Sequence, residues 1–363
     1  MSAVEFSEAI KRIATELGFD LCGITAAVRP EGFDWLRRWL DHGFAGEMHY
    51  FPRREAAYEH PSGVLPPVRS VVILAMNYFV GDASRVPETT RTRDASTTSS
   101  IGLVGQYARG SGDYHDLLRE RLKLLSDFIH DQRPGCRTRV CVDTAPLLER
   151  DFGKLAGLGW FGKNTMLINK RLGSFFFLAA ILTDVELPAD EPHNTSHCGT
   201  CTRCLEACPT QAFVEPYVLD ARKCISYLTI EQRDLPIDIE LRSEMGAWVF
   251  GCDICQDVCP WNRKTPQSRE PAFSPREELN PLNLEWLLSL DAAGFEQQFS
   301  GTPMHRTGRA ALLRNAAIAL GNSRDTNAQP ALERAMHDPE PLVREAAEWA
   351  LGRLADVSDK VTR

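Results

Sequence analysis

Cys198-Gly-Thr-Cys201-Thr-Arg-Cys204-Leu-Glu-Ala-Cys208-Pro209 is the most informative stretch of this chain. Gly251-Cys252-Asp-Ile-Cys255-Gln-Asp-Val-Cys259-Pro260 repeats the pattern further on, and Cys224 stands alone between the two runs. Eight of the eleven cysteines thus lie between residues 198 and 259. Two four-iron, four-sulfide cubes need eight thiolates, and the count agrees. One tight loop can aim three closely spaced cysteines at one cube, while the fourth, followed by proline, reaches the other. The spacing therefore predicts a crossed arrangement. Cluster one takes Cys198, Cys201, Cys204 and Cys259; cluster two takes Cys224, Cys252, Cys255 and Cys208.

Other readings of these cysteines explain less. A four-cysteine zinc site accounts for paired CxxC units but not for the full CxxCxxCxxxCP run. A disulfide scaffold belongs to short secreted chains, whereas this chain has 363 residues. Cubes of this kind carry single electrons, so the sequence points to redox chemistry.

The length suits two or three domains. A hydrophobic share of 43% and a charged share of 25% are ordinary for a globular protein. The longest apolar run, Phe175 to Leu182, is far shorter than the roughly 20 residues of a membrane span. The N-terminus reads as an amphipathic helix and not as an export signal. A cytoplasmic monomer without membrane association is expected. The net charge of −8 gives no compositional support for nucleic-acid binding.

Along the chain, the pattern predicts an α+β protein in three parts. Residues 1–190 form a mixed α/β domain with buried strands at Asp20 to Ile24, Val71 to Ala75 and Phe175 to Leu182, and a helix from Tyr114 to His130. Residues 81–100, rich in Ser, Thr, Arg and Asp, read as an exposed loop. Residues 191–265 form a ferredoxin-like cluster domain. Residues 266–363 comprise a proline-rich linker, to about Glu278, and helices. There Arg309 to Gly321 and Pro341 to Gly352 share an LxRxAAxxALG-like pattern about 30 residues apart, as in a HEAT repeat. A plain helical cap is the simpler alternative.

Two further stretches can carry chemistry. Gln106-Tyr107-Ala-Arg-Gly-Ser-Gly-Asp113-Tyr-His115 is one; the other runs from Val142-Asp143-Thr-Ala-Pro146 through Glu149, Arg150 and Lys154 to Gly157-Leu-Gly-Trp-Phe-Gly-Lys163-Asn164. Glycine turns beside charged and aromatic side chains let backbone approach a large cofactor closely. Neither stretch holds a dinucleotide or phosphate-loop fingerprint, nor the DxHxxG motif by which some cobalamin proteins supply a histidine ligand. Asp143 follows an apolar strand, so it is read either as a proton donor beside a cofactor or as the cap of a helix starting near Pro146. Lys154 and Lys163 can equally be surface charges. Cys22, Cys136 and Cys141 are expected to pack as small hydrophobes.

In this order, these blocks, with Cys224-Ile-Ser226-Tyr-Leu-Thr-Ile230 and the helical tail, resemble the epoxyqueuosine reductase family over the whole chain. The resemblance implies an N-terminal fold akin to that of reductive dehalogenases, two [4Fe–4S] clusters, and a base-off cobalamin without a protein histidine ligand. It implies electrons passing from an external one-electron donor through the clusters to the corrinoid. The substrate would be epoxyqueuosine in the anticodon stem-loop of tRNA. Asp143 would be the general acid, Asp113 would join it in the active site, and Gln106 would face cobalt. Tyr107, Asp143, Arg150, Lys154, Lys163, Asn164 and Ser226 would also contact the cofactor. The family's Arg-x-Asp-Pro is replaced here by Tyr58-Glu-His-Pro61. His305, Arg306, Arg309 and Arg314 are candidates for tRNA phosphates, with a solvated helix face as their alternative. Two other functions fit the clusters: a corrinoid and iron–sulfur reductase of a small molecule, and a non-catalytic electron-transfer module.

Overall fold

Four strands build the main sheet of the computed structural model, which describes residues 1–81 and 100–361, with side chains to residue 355. β1 (Leu21–Ala26), β2 (Ser70–Asn77), β4 (Thr138–Cys141) and β7 (Phe176–Thr183) lie in the order β1-β2-β7-β4. Every pairing in it is antiparallel. The expected α/β domain is therefore an α+β domain. All eight residues of β2 are buried because both faces of the sheet are covered. Val72, Leu74 and Met76 meet Phe6, Ile10, Leu118, Leu122 and Leu125 on one side. Val71, Ile73 and Ala75 meet Leu147, Phe152 and Leu167 on the other. A continuous apolar run usually marks a parallel strand; here helices on two faces impose the same run on an antiparallel one.

The remaining segments interlock. β10 (Trp248–Phe250) pairs parallel with β3 (Ile101–Val104), and β11 (Leu282–Asn283) pairs antiparallel with the other edge of β3. This small sheet takes one strand from each part of the sequence. One hydrophobic cluster runs accordingly from Val104 through Ile225, Leu228 and Phe250 to Leu313, Ala347 and Leu354. The proline-rich stretch after Lys264 is no loose linker. Asn77 Nδ2 donates to the carbonyl of Pro266, Ser268 donates to Asn77 O, and Phe273 is buried against the main sheet. The reading of residues 82–99 as an exposed loop lies outside the described residues.

In the C-terminal part, helices Arg309–Ser323, Gln329–Ala335 and Pro341–Val361 pack on one another. Arg314 is fully buried in the first of them. It donates to the carbonyls of Leu228, Gln232 and Leu235 at 2.7 to 2.9 Å and to Asn315 Oδ1. Asn315 in turn donates to the carbonyls of Thr229 and Val249. The pair bolts the first repeat helix onto the Ile225–Ile230 helix beside Cys224. Burial lowers the Arg314 guanidinium to about 10. Arg314→Met would remove the donors to three carbonyls, that of Leu228 fully buried. We expect it to cost about 3 kcal/mol and to lower the calorimetric unfolding temperature by several degrees. An unchanged transition would show that the bolt carries no net stability.

Among the described residues, no helix is long and apolar enough to cross a membrane.

Candidate functional site

Asp143 follows β4 at φ +40°, a left-handed backbone unusual for a side chain with a Cβ. Thr144 N donates to Val142 O at 2.5 Å across it, closing a γ-turn. Asp143 is not a helix cap, since the next helix begins at Glu149. Strained turns of this kind persist where the surroundings hold them. Two aromatic groups hold this one. Asp143 Oδ1 lies 2.6 Å from His115 Nε2, and Oδ2 accepts from the Tyr114 hydroxyl.

The Tyr114–Gln132 helix presents these partners because Asp113 caps it, accepting from His115 N at 3.0 Å. Asp113 Oδ1 also lies 2.8 Å from His115 Nδ1. A carboxylate there accepts a hydrogen bond from a protonated Nδ1, which leaves Nε2 to share a proton with Asp143. Arg306 reaches in from the Pro303–Thr307 turn, donates to Asp113 Oδ2, and lies 2.8 Å from His115 Nδ1. A protonated Nδ1 cannot accept from it, so Asp113 is the real partner of Arg306. His115 is buried, whereas the Asp143 carboxylate is 49% exposed. The chain Arg306–Asp113–His115–Asp143 has exposed groups at both ends, with Asp113 and His115 buried between them.

The surroundings of Asp143 are concave. Burial raises the Tyr50 hydroxyl, with Glu231 and Asp143 among the charges acting on it, although Tyr50 is 39% exposed. Burial likewise lowers the Arg150 guanidinium, although that residue is exposed, and raises the carboxyl of Glu231. Groups that are both accessible and desolvated point to a recess and not a flat surface. Arg150 also feels Cys255, which puts the cysteines within electrostatic range of these groups. Two polar atoms of this region, Gln106 Oε1 and Glu149 Oε1, are buried without a partner. Burial pushes the Glu149 carboxyl up to about 8.

The cysteines fall into two groups. Burial and then the neighbouring Cys259, Cys198 and Cys201 push the Cys204 thiol up to about 11. Burial also raises Cys224, Cys252 and Cys255, whose sulfur neighbours are Cys208, Cys224 and one another. Cys204 also acts on Cys255, so the groups adjoin. Among the described residues no three side chains could hold a single metal ion. A cube carries its thiolates at separate corners, so it suits fours that are more widely spaced. Buried thiols this crowded ionise together only against a large positive charge. Trp160 and Trp261 pack over Cys198 and Cys259.

The predicted cofactor residues divide. Gln106, Tyr107, Asp143 and Arg150 adjoin the recess, and Arg150 Nη1 donates to the carbonyl of Thr165 at 3.2 Å. Ser226 is half-buried and its carbonyl accepts from Thr229. Lys163 Nζ donates to Gly199 O at 2.8 Å, and Asn164 is buried at 3.4 Å from Cys255 O; both sit between cysteine loops. The Lys154 ammonium faces Glu31 at 3.6 Å. Of the proposed tRNA contacts, Arg314 is buried and Arg309 is held by Asp338, so neither has a free surface for a phosphate. Their helix faces the core and not solvent. His305 lies on Glu296, and Arg306 is in the Asp143 network. Sequence reasoning missed His115 and Tyr114 as functional groups; the only signal was their place at the start of a capped helix after the Gly-rich block.

Residues 59–144 match the family model described as "Epoxyqueuosine reductase QueG, DUF1730". Residues 197–262 match a 4Fe-4S double cluster binding domain, and residues 304–362 match HEAT repeats. The chain is 41% identical over 348 residues to an epoxyqueuosine reductase of Pseudomonas aeruginosa, covering 96% of this chain and 94% of that one. It is 40% identical to an epoxyqueuosine reductase of Escherichia coli over 352 residues, 96% and 89% of the two chains. A crystal structure of an epoxyqueuosine reductase with an epoxyqueuosine-modified tRNA-Tyr stem loop has a TM-score of 0.88 at 33% identity, covering 98% of this chain and 92% of that one. A Bacillus subtilis epoxyqueuosine reductase, solved with its catalytic aspartate loop swung out of the active site, has a TM-score of 0.85 at 32% identity, with 97% and 91% covered.

Proposed function

The chain belongs to the epoxyqueuosine reductase family, and on that premise we propose that it removes the epoxide oxygen of epoxyqueuosine in a tRNA anticodon loop, with Asp143 as proton donor. The observation that carries this reading is Asp143 itself. It is half-exposed, strained, and backed by a buried histidine at the mouth of a recess with the cysteines in electrostatic range.

The cofactors follow from the donor sets. Cys198, Cys201, Cys204 and Cys259 would hold one [4Fe–4S] cluster, and Cys208, Cys224, Cys252 and Cys255 the other. A base-off corrinoid would occupy the recess between Asp143 and Cys255. A corrinoid carries many amide side chains, and the unpartnered Gln106 Oε1 and Glu149 Oε1 are available to them. No protein histidine is needed at cobalt. When bound, the corrinoid supplies reducing power at cobalt, replenished one electron at a time from an external donor through the adjoining clusters.

This chain's residues manage the protons. Conversion of an epoxide to an alkene consumes two electrons and two protons and releases water. Asp143 gives a proton to the departing oxygen. His115, which shares a proton with Asp143 and is anchored by Asp113, returns one to it. Arg306 keeps Asp113 ionised, so that Nδ1 stays protonated and Nε2 is the working atom. Both Asp143 oxygens are engaged, by His115 and Tyr114, so donation requires its turn to move toward substrate. The swung-out loop of the Bacillus subtilis enzyme supports a turn with two positions. The tRNA-bound relative supports a loop base as substrate; unpaired loop bases splay out at modest cost.

His115→Gln keeps the bulk but cannot shuttle a proton. We expect turnover to fall roughly a hundredfold, with a flattened pH profile and unchanged RNA affinity. A wild-type profile would confine His115 to structure.

The deciding assay is anaerobic incubation of the cluster- and corrinoid-loaded protein with a stem-loop carrying epoxyqueuosine. Mass spectrometry should show loss of one oxygen. Loss of halide from a haloaromatic, with the RNA untouched, would favour the small-molecule reductase instead. Absence of corrinoid from active preparations would overturn the recess assignment.

A further inference from the structure

On the far side of the Asp143 turn, three arginines from three elements converge on a cavity of about 470 Å³. Arg54 comes from the turn after the Tyr50–Arg53 helix, Arg119 from the Tyr114–Gln132 helix, and Arg139 from the edge strand β4. Val142 and Thr144, the residues either side of Asp143, form part of its wall, with Pro146 beside them. Arg119 is four residues after His115, hence on the same helical face one turn away.

Among the described residues the charge there is little neutralised. The Arg139 side chain makes no hydrogen bond or ion pair with the described residues, and its carbonyl accepts from Cys141. Arg119 meets only the exposed Asp116, at 3.5 Å. Arg54 uses one nitrogen on Thr144 O, at 3.0 Å, and keeps its other donors. In a chain of net charge −8, three guanidiniums with little opposing charge among the described residues, around a hollow whose wall also includes Val64, Val140 and Pro146, are a selective feature. Guanidinium groups suit phosphate oxygens geometrically, and apolar walls beside them suit a base or sugar. The volume is within the range of small-ligand sites.

We propose that this cavity binds a phosphodiester of single-stranded RNA, seating the nucleotide next to the one presented to Asp143. The inference rests on the tRNA reading above and deepens it. It also places an RNA contact directly on the turn that carries the proton donor, so that correctly seated RNA and the position of Asp143 are linked.

The test uses the cluster- and corrinoid-loaded protein and a fluorescent anticodon stem-loop, with and without the modified base. R119Q/R139Q should weaken binding of both RNAs on the order of tenfold. The slope of log Kd against log salt should shrink by about 0.7 for each lost contact. Corrinoid and cluster absorbance and the unfolding temperature should match wild type. The single variant R139Q, an exposed edge-strand change, guards against misfolding of the double variant and should give about half the slope change. Unaltered affinity and slope would overturn this site while leaving the tRNA reading intact. Loss of corrinoid with unaltered RNA affinity would assign the arginines to the cofactor and overturn it too. Wild-type protein that binds neither RNA would overturn the site together with the function.

Discussion

Asp143→Asn should lower turnover on an epoxyqueuosine stem-loop by roughly a thousandfold, within the range measured for general acids. The amide is isosteric and tolerates the left-handed backbone as well as aspartate does, so the γ-turn at φ +40° should survive. It can still accept from Tyr114 and meet His115, but it has no acidic proton to give. RNA affinity, iron content and corrinoid absorbance should therefore stay at wild-type values while product formation collapses. The contrast with Asp113→Asn is informative. Asp113 is largely buried, caps a helix and pairs with Arg306, so its loss should disturb both His115 and the Pro303–Thr307 turn and lower stability as well as rate. If Asp143→Asn turned over at more than a tenth of the wild-type rate, another acid would have to be sought. Glu149, held neutral up to about 8 at the recess, would be the first to examine.

How much of this was legible in the sequence depended on distance along the chain. The cysteine runs were readable because closely spaced cysteines lie within one loop each, and spacing alone limits what such a loop can hold. The strands around Val71 and Phe175 were readable because uninterrupted apolar runs have few other uses. Their antiparallel pairing was not, since two covered faces produce the same pattern as a parallel sheet. Asp143 stood out by following a strand, but its partner His115 is 28 residues away and reaches it only through the cap at Asp113. Arg306 is further still, and its basic neighbours misled: Arg309 and Arg314 look like a charged helix face, yet one is held by Asp338 and the other satisfies buried carbonyls. Charge in a sequence announces itself; what neutralises it does not. The same limit hid the arginine cavity, because net charge averages over the chain and a pocket does not.

Cys224→Ala should remove one cluster and spare the other, taking iron from about eight to about four atoms per chain. Cys224 is the one proposed ligand outside both short runs, so no adjacent cysteine can replace it. Alanine is smaller than cysteine and needs no partner. Arg314 and Asn315 independently hold the helix that starts beside it. The chain should thus fold, keep Cys198, Cys201, Cys204 and Cys259 around the remaining cluster, and lose about half of its cluster absorbance. Because Cys255, not Cys204, acts on Arg150 in the recess, the lost cluster is the one nearer the proposed corrinoid. Electrons would reach cluster one and stop there, so turnover should fall below detection even with dithionite present. Cys141→Ala, at a buried site on β4 among apolar residues, provides the control and should keep all its iron. Full iron retention in Cys224→Ala would sink the crossed ligand assignment. Loss of all iron would mean that the two clusters assemble only as a unit, with Cys204 and Cys255, the neighbours that join the groups, as the place where that coupling is made.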